Sequence, residues 1–202
     1  MIIFMCKTVC VTNRTICKDD FLLRIEKIAT QHPTAIILRE KDLSETEYQC
    51  LADEVIRICQ KSGTRCILHS FPNVARQLNH RFLHLPLPLL RILSTEERKW
   101  FTILGASCHS VSDAVEAQKL GCTYITAGHI FDTDCKKGIS GRGLDFLTGI
   151  CQCADVPVYA IGGIHAQHYR EVLQAGADGV CVMSGAMCCE NIGEYFADFR
   201  ER

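Results

Sequence analysis

The residues able to do chemistry gather where apolar runs stop. His129 follows the run Tyr124–Ala127 after one glycine, and a polar loop holding Thr133, Cys135, Lys136 and Lys137 comes next. Gly138, Gly141 and Gly143 close that loop. Histidine titrates near neutral pH and can both take and return a proton, so His129 is the candidate general acid–base. The competing reading is a satisfied structural histidine. Lys136 is a candidate phosphate or lid contact. Arg39 and Lys41 end the run that starts at Ala35, and their cations suit a carboxylate or a phosphate. The alternative is an ion pair with Glu40 or Asp42.

Two glycine-containing ends suggest an anion site. Gly162-Gly163 follows the run 156–161, and Ser184-Gly185 follows 178–183. Glycine lets backbone N–H groups approach an anion. A lone Gly-Gly pair would equally make only a tight turn. Ser107 and His109 lie at another strand end. His69 and His84 are weaker candidates, and His84, among apolar neighbours, is expected to pack. His32, His80, His165 and His168 are read as surface residues.

These groups need elements to hold them. Short apolar runs alternate with helical patterns about eight times along the chain. Phe21 to Ala29 has one apolar face, and Ser44-Glu-Thr-Glu47 is a capping box before a long helix stopped by Gly63. Pro86 and Pro88 argue that the fourth helix is weak or absent. Single helices are expected from His165 to Ala175 and from about Cys189 to the end. Such alternation predicts an α/β fold with a parallel sheet, and eight units fit a single-domain (β/α)8 TIM barrel over residues 1–202. In that architecture catalytic groups come from the C-terminal ends of strands, and phosphate loops follow strands seven and eight.

Composition narrows the function classes. A formal net charge of −1 leaves no basic field for nucleic acid. The apolar runs are strand length, so no membrane-spanning helix is expected, and no signal peptide is visible. Fourteen cysteines are scattered through apolar segments without zinc spacing. They read as reduced thiols in a cytoplasmic protein. The strand ends supply no carboxylate pair for magnesium, so no metal is expected. A homodimer through exposed apolar residues near the barrel rim stays open.

With these pieces in place, the chain resembles the thiamine phosphate synthase superfamily over nearly its whole length. The matching segments are Leu38–Lys41, Gly105–His109, Gly128–Thr133, Ile161–Ile164 and Gly176–Gly179 with Met183-Ser184. Within the superfamily, Gly128–Gly138 with Gly141-Arg-Gly143 looks like the TenI-type thiazole tautomerases. The synthases carry Asn-Asp after strand three and Gly-Gln-x-Asp after strand four. This chain has His69-Ser70 and Pro86-Leu-Pro-Leu89.

The resemblance therefore implies a cofactor-independent isomerase of thiamine biosynthesis that aromatises a carboxythiazole phosphate. His129 would move the proton. Gly162, Gly163 and Ser184 would hold the phosphate, Arg39 or Lys41 the carboxylate, and Ser107 would line the ring. The alternatives are a thiamine phosphate synthase, which is a transferase, and a non-catalytic regulatory protein that binds a phosphate ligand.

Overall fold

The computed structural model describes residues 7–133 and 138–199. The apolar runs form parallel strands: β1 (Thr8–Val11), β2 (Ala35–Leu38), β3 (Cys66–His69), β4 (Phe82–Pro86), β5 (Ile103–Cys108), β6 (Tyr124–Gly128), β7 (Val158–Ile161) and β8 (Gly179–Val182). They follow one another in chain order around a closed barrel, the expected (β/α)8 fold. β1, β2, β3, β6 and β8 are buried along their whole length, as parallel strands covered on both faces must be.

The helices between and after the strands are α1 (Phe21–Ala29), α2 (Glu45–Ser62), α3 (Pro72–Gln77), α4 (Leu87–Ile92), α5 (Thr95–Trp100), α6 (Val111–Lys119), α7 (Gly143–Cys153), α8 (Tyr169–Gln174), α9 (Ser184–Cys188) and α10 (Ile192–Ala197). Two compact units divide the described chain. One runs to His80 and resumes at Val182, and the other is Arg81–Cys181.

In the first unit, β2 pairs with β1 and β3 in a register that aligns Ile36 with Cys10 and with Cys66. α1 starts at Asp20, whose carboxylate accepts the Leu23 N–H, and buries Ile25, Ile28 and Ala29. α2 carries the expected capping box: Ser44 Oγ accepts from Glu47 N, and the Glu47 carboxylate accepts from Ser44 N. Its apolar face buries Tyr48, Ala52, Val55, Ile56 and Cys59, and Gly63 ends it at φ +70°. Tyr48 also has a polar role. Its hydroxyl donates to the Leu38 carbonyl at 2.6 Å and accepts the His69 N–H at 2.8 Å, so one side chain ties α2 to the ends of β2 and β3.

The second unit departs from the expectation at the proline pair. Two helices, α4 and α5, stand where none or a weak one was expected. Pro88 occupies the first turn of α4, where a missing N–H costs no intrahelical hydrogen bond. α5 then starts on a second capping box, with Ser94 Oγ accepting from Glu97 N and Glu97 returning to Ser94 N.

Two other helices are shorter than expected. His165 is extended, and a 3-10 turn over Ala166–His168 precedes α8. In the first unit, the C-terminal helix starts at Ile192 rather than near Cys189, because Cys189 is extended and Asn191 caps α10 by accepting the Glu194 N–H; the short α9 precedes it.

The capping box makes α5 sensitive to one hydroxyl. Ser94→Ala is expected to lower stability by about 1 kcal/mol, the usual cost of a lost N-cap. Urea unfolding should show a lower midpoint with an unchanged slope. An unchanged midpoint would mean that α5 is held by packing alone.

Candidate active site

The second unit carries Ser107, His129, Gly162 and Gly163. Sheet register sets His84 of β4 beside Gly105 of β5, and Gly105 beside Tyr124 of β6. Gly105 has no side chain, so the rings on either side meet over it, with centroids 5.4 Å apart. A Cβ at Gly105 would come within 3.0 Å of both rings.

The Tyr124 hydroxyl lies 2.9 Å from His84 Nδ1, and His84 Nε2 lies 2.9 Å from Ser107 Oγ. His84 is thus buried as expected, but as the centre of a polar chain rather than as apolar packing. Desolvation pushes its pKa down to about 3, so the imidazole is neutral. Desolvation likewise raises the Tyr124 phenol well above its usual range.

His129 ends the buried run of β6, after a cis Gly128–His129 peptide. It is 4% exposed, and Nε2 lies 3.2 Å from the Ile139 carbonyl. Nδ1 is buried with no hydrogen-bond partner among the described residues. The segment after it is stitched to the end of β7: Ile130 N donates to Ile161 O at 2.9 Å and Phe131 N to Gly162 O at 3.0 Å. Gly162 (φ +103°) and Gly163 (φ +65°) lie against this segment. A Cβ on either would come within 3.0 Å of its backbone, at His129 for Gly162 and at Asp132 for Gly163. Close packing therefore accounts for both glycines. His109 Nδ1 meets the Gly128 carbonyl at 2.7 Å.

The first unit carries Arg39, Lys41 and Ser184. Glu40, expected at most as an ion-pair partner, lies between the two cations in sequence and is 1% exposed. Its carboxylate accepts from Thr12 Oγ1 at 2.6 Å and from Arg14 N at 3.0 and 3.1 Å. Thr12 Oγ1 in turn accepts the Arg39 N–H at 2.9 Å. Burial raises the Glu40 pKa, and the Thr12 and Arg14 donors oppose the rise.

Asp42 pairs with Arg14 at 2.7 Å. Among the described residues, the Arg39 guanidinium has no ion-pair partner, and it is half-buried at the end of β2. Ser184 is exposed at the first position of α9. His80 is a correction to the surface reading, since it is half-buried with Nε2 on the Cys66 carbonyl at 2.8 Å. Lys136 lies outside the described residues.

The donor set for a cation is thin. β3 ends in His69-Ser70, where Ser70 Oγ meets His69 Nδ1 at 2.7 Å, and β4 ends in Pro86. Among the described residues no group of three or more His, Cys, Asp or Glu side chains is placed to hold a metal ion. No described helix is long and apolar enough to cross a membrane.

Comparison with known proteins bears directly on the chemistry. Residues 8–186 match the family model described as thiamine monophosphate synthase. The chain is 31% identical to the thiamine-phosphate synthase of Pyrococcus abyssi, over 83% of this chain and 81% of that one. It is 29% identical to the thiamine-phosphate synthase of Clostridium acetobutylicum, over 90% and 87%. The solved thiamine phosphate pyrophosphorylase from Pyrococcus furiosus superposes with a TM-score of 0.81 at 28% identity, covering 96% of this chain and 93% of that one.

These relatives overturn the expected thiazole tautomerase and its isomerase chemistry, since they are named as synthases over nearly the full chain.

The depressed pKa of His84 has a consequence for stability. As pH falls below the ordinary value of 6.5, the unfolded chain takes up this proton while the folded chain resists until about 3. Stability therefore rises with pH across that window, by about 1.4 kcal/mol per unit from this group alone. Denaturant unfolding at pH 6, 5 and 4 should show a shallower pH slope for His84→Gln than for the parent protein. Equal slopes would mean that His84 is protonated in the folded state.

Proposed function

Because the chain belongs to the thiamine monophosphate synthase family, we propose that it is a transferase of thiamine biosynthesis. It would join a pyrimidine, supplied as its pyrophosphate, to a thiazole phosphate and release pyrophosphate. The observation that carries this reading is the roughly 30% identity to named synthases over most of both chains. Both substrates are small and phosphate-bearing, which suits a chain whose candidate groups are cations, hydroxyls and backbone amides.

The transition state places growing negative charge on the departing pyrophosphate, so the useful groups are preorganised donors and cations. Arg39 is suited to this because Glu40 and Thr12 fix the backbone from which it projects, and its guanidinium is not consumed by a neighbouring carboxylate. Lys41 follows two residues later as a second cation. In the second unit the amides of Gly162 and Gly163 are proposed phosphate contacts, and in the first unit the Ser184 hydroxyl is proposed as another.

A magnesium ion would be the usual companion of a pyrophosphate leaving group, but the described residues do not fit one. Glu40 accepts three hydrogen bonds, Asp132 Oδ1 accepts the Gly141 N–H, and β3 and β4 end without carboxylates. No step is assigned to a metal. Arg39 and Lys41 take the role of neutralising charge.

The test is direct. The protein is mixed with the pyrimidine pyrophosphate and the thiazole phosphate, and thiamine phosphate and pyrophosphate are followed by chromatography. Stoichiometric formation of both products is expected. Arg39→Ala should lower kcat/KM about ten- to a hundredfold, the scale of a lost charge-assisted contact. No thiamine phosphate above the protein-free rate would remove the proposal.

A further inference from the structure

The chain Tyr124–His84–Ser107 has a direction. A neutral imidazole carries one N–H and one lone pair, so one neighbour must donate to it and the other must accept from it. The Tyr124 hydroxyl decides which. Among the described residues, its hydrogen-bond partner is His84 Nδ1 alone. If Nδ1 held the proton, the phenol would accept, and its own O–H would be buried with nothing to bond, at real cost. The phenol therefore donates to Nδ1, the proton of the ring sits on Nε2, and Nε2–H donates to Ser107 Oγ at 2.9 Å. The Ser107 hydroxyl accepts on that side. Its own hydrogen is left without an acceptor among the described residues, on a half-buried residue near the C-terminal end of β5.

We propose that Tyr124 and His84 are positioning residues that fix Ser107 as a hydrogen-bond donor to an anionic oxygen of the substrate. The identity of that oxygen rests on the phosphate-bearing substrates proposed above; the direction of the chain does not. With the opposite tautomer Ser107 would point its proton at His84 and offer a phosphate only lone pairs. The burial that keeps His84 neutral keeps this polarity fixed over the working pH range. Gly105 is part of the device, because only a residue without a Cβ lets the two rings meet.

Nitrogen-15 spectra of the labelled histidine side chains read the tautomer without turnover. His84 is expected as the Nε2-protonated neutral form from pH 5 to 8. Tyr124→Phe, which keeps the ring, should weaken that preference and shift both ring-nitrogen signals. Calorimetry with inorganic pyrophosphate as the probe should show about ten- to a hundredfold weaker binding for Ser107→Ala. Tyr124→Phe should move in the same direction, and the double variant should be no worse than Ser107→Ala alone.

In turnover assays Tyr124→Phe should raise KM more than it lowers kcat. An Nδ1-protonated His84 in the parent protein would overturn the proposal. So would a Tyr124→Phe protein with the parent's melting temperature and undiminished pyrophosphate affinity. Since the spectra and the binding need no synthase turnover, a failed synthase assay beside the expected spectra would count against the function and not against the positioning chain.

Discussion

The missing side chain at Gly105 sets the terms for the second unit. Adjacent parallel strands run about 4.8 Å apart, so residues two strands apart ordinarily meet only across an intervening side chain. With glycine in the middle strand, His84 and Tyr124 close over the gap and bury polar atoms that must then satisfy one another. Such a buried chain is specific because it is intolerant: removing one member takes a hydrogen-bond partner from its neighbour. The site inherits its geometry from this constraint, since Ser107 lies two residues further along the same strand and completes the chain.

The first unit uses the same device with a charged group. Glu40 would be costly to bury alone, and its carboxylate is instead surrounded by donors from the end of β1. The bonds run from Arg39 N through Thr12 to Glu40 and back to the Arg14 backbone, so the ends of β1 and β2 are locked together. Tyr48 does the same for β2 and β3 from the helix side. In each case the polar group sits where a strand stops and its backbone would otherwise lack a ladder partner. The strand ends are thereby stiff, and side chains that project from them keep their direction.

Local signals of this kind were legible in the sequence, and long-range ones were not. The Ser44 and Gly63 helix limits, the eight strands and the barrel follow from patterns a few residues long. The Ser94 capping box is an equally local pattern in the sequence. His84 was read from its neighbours Leu83 and Leu85, although alternation turns those to the opposite face of the strand. That His84 shares a face with Ser107, and with the tyrosine 40 residues away, follows only from the register. Glu40 was weighed as a partner for Arg39, its neighbour in sequence, whereas its real donors lie 26 to 28 residues back. Pairing across strands depends on register, and register is a property of the folded barrel.

The histidines show why residue type alone misjudged the chemistry. His80, His109 and His129 each place a ring nitrogen on a backbone carbonyl, at 2.8, 2.7 and 3.2 Å. A carbonyl can only accept, so in each ring the facing nitrogen carries a hydrogen. His84 reaches the same end through the phenol of Tyr124. In all four imidazoles a neighbouring group thus sets the direction of a ring hydrogen bond. Within the second unit the His84 imidazole fixes hydrogen-bond direction inside β4, whereas in the first unit Arg39, at the end of β2, keeps a guanidinium with no ion-pair partner among the described residues.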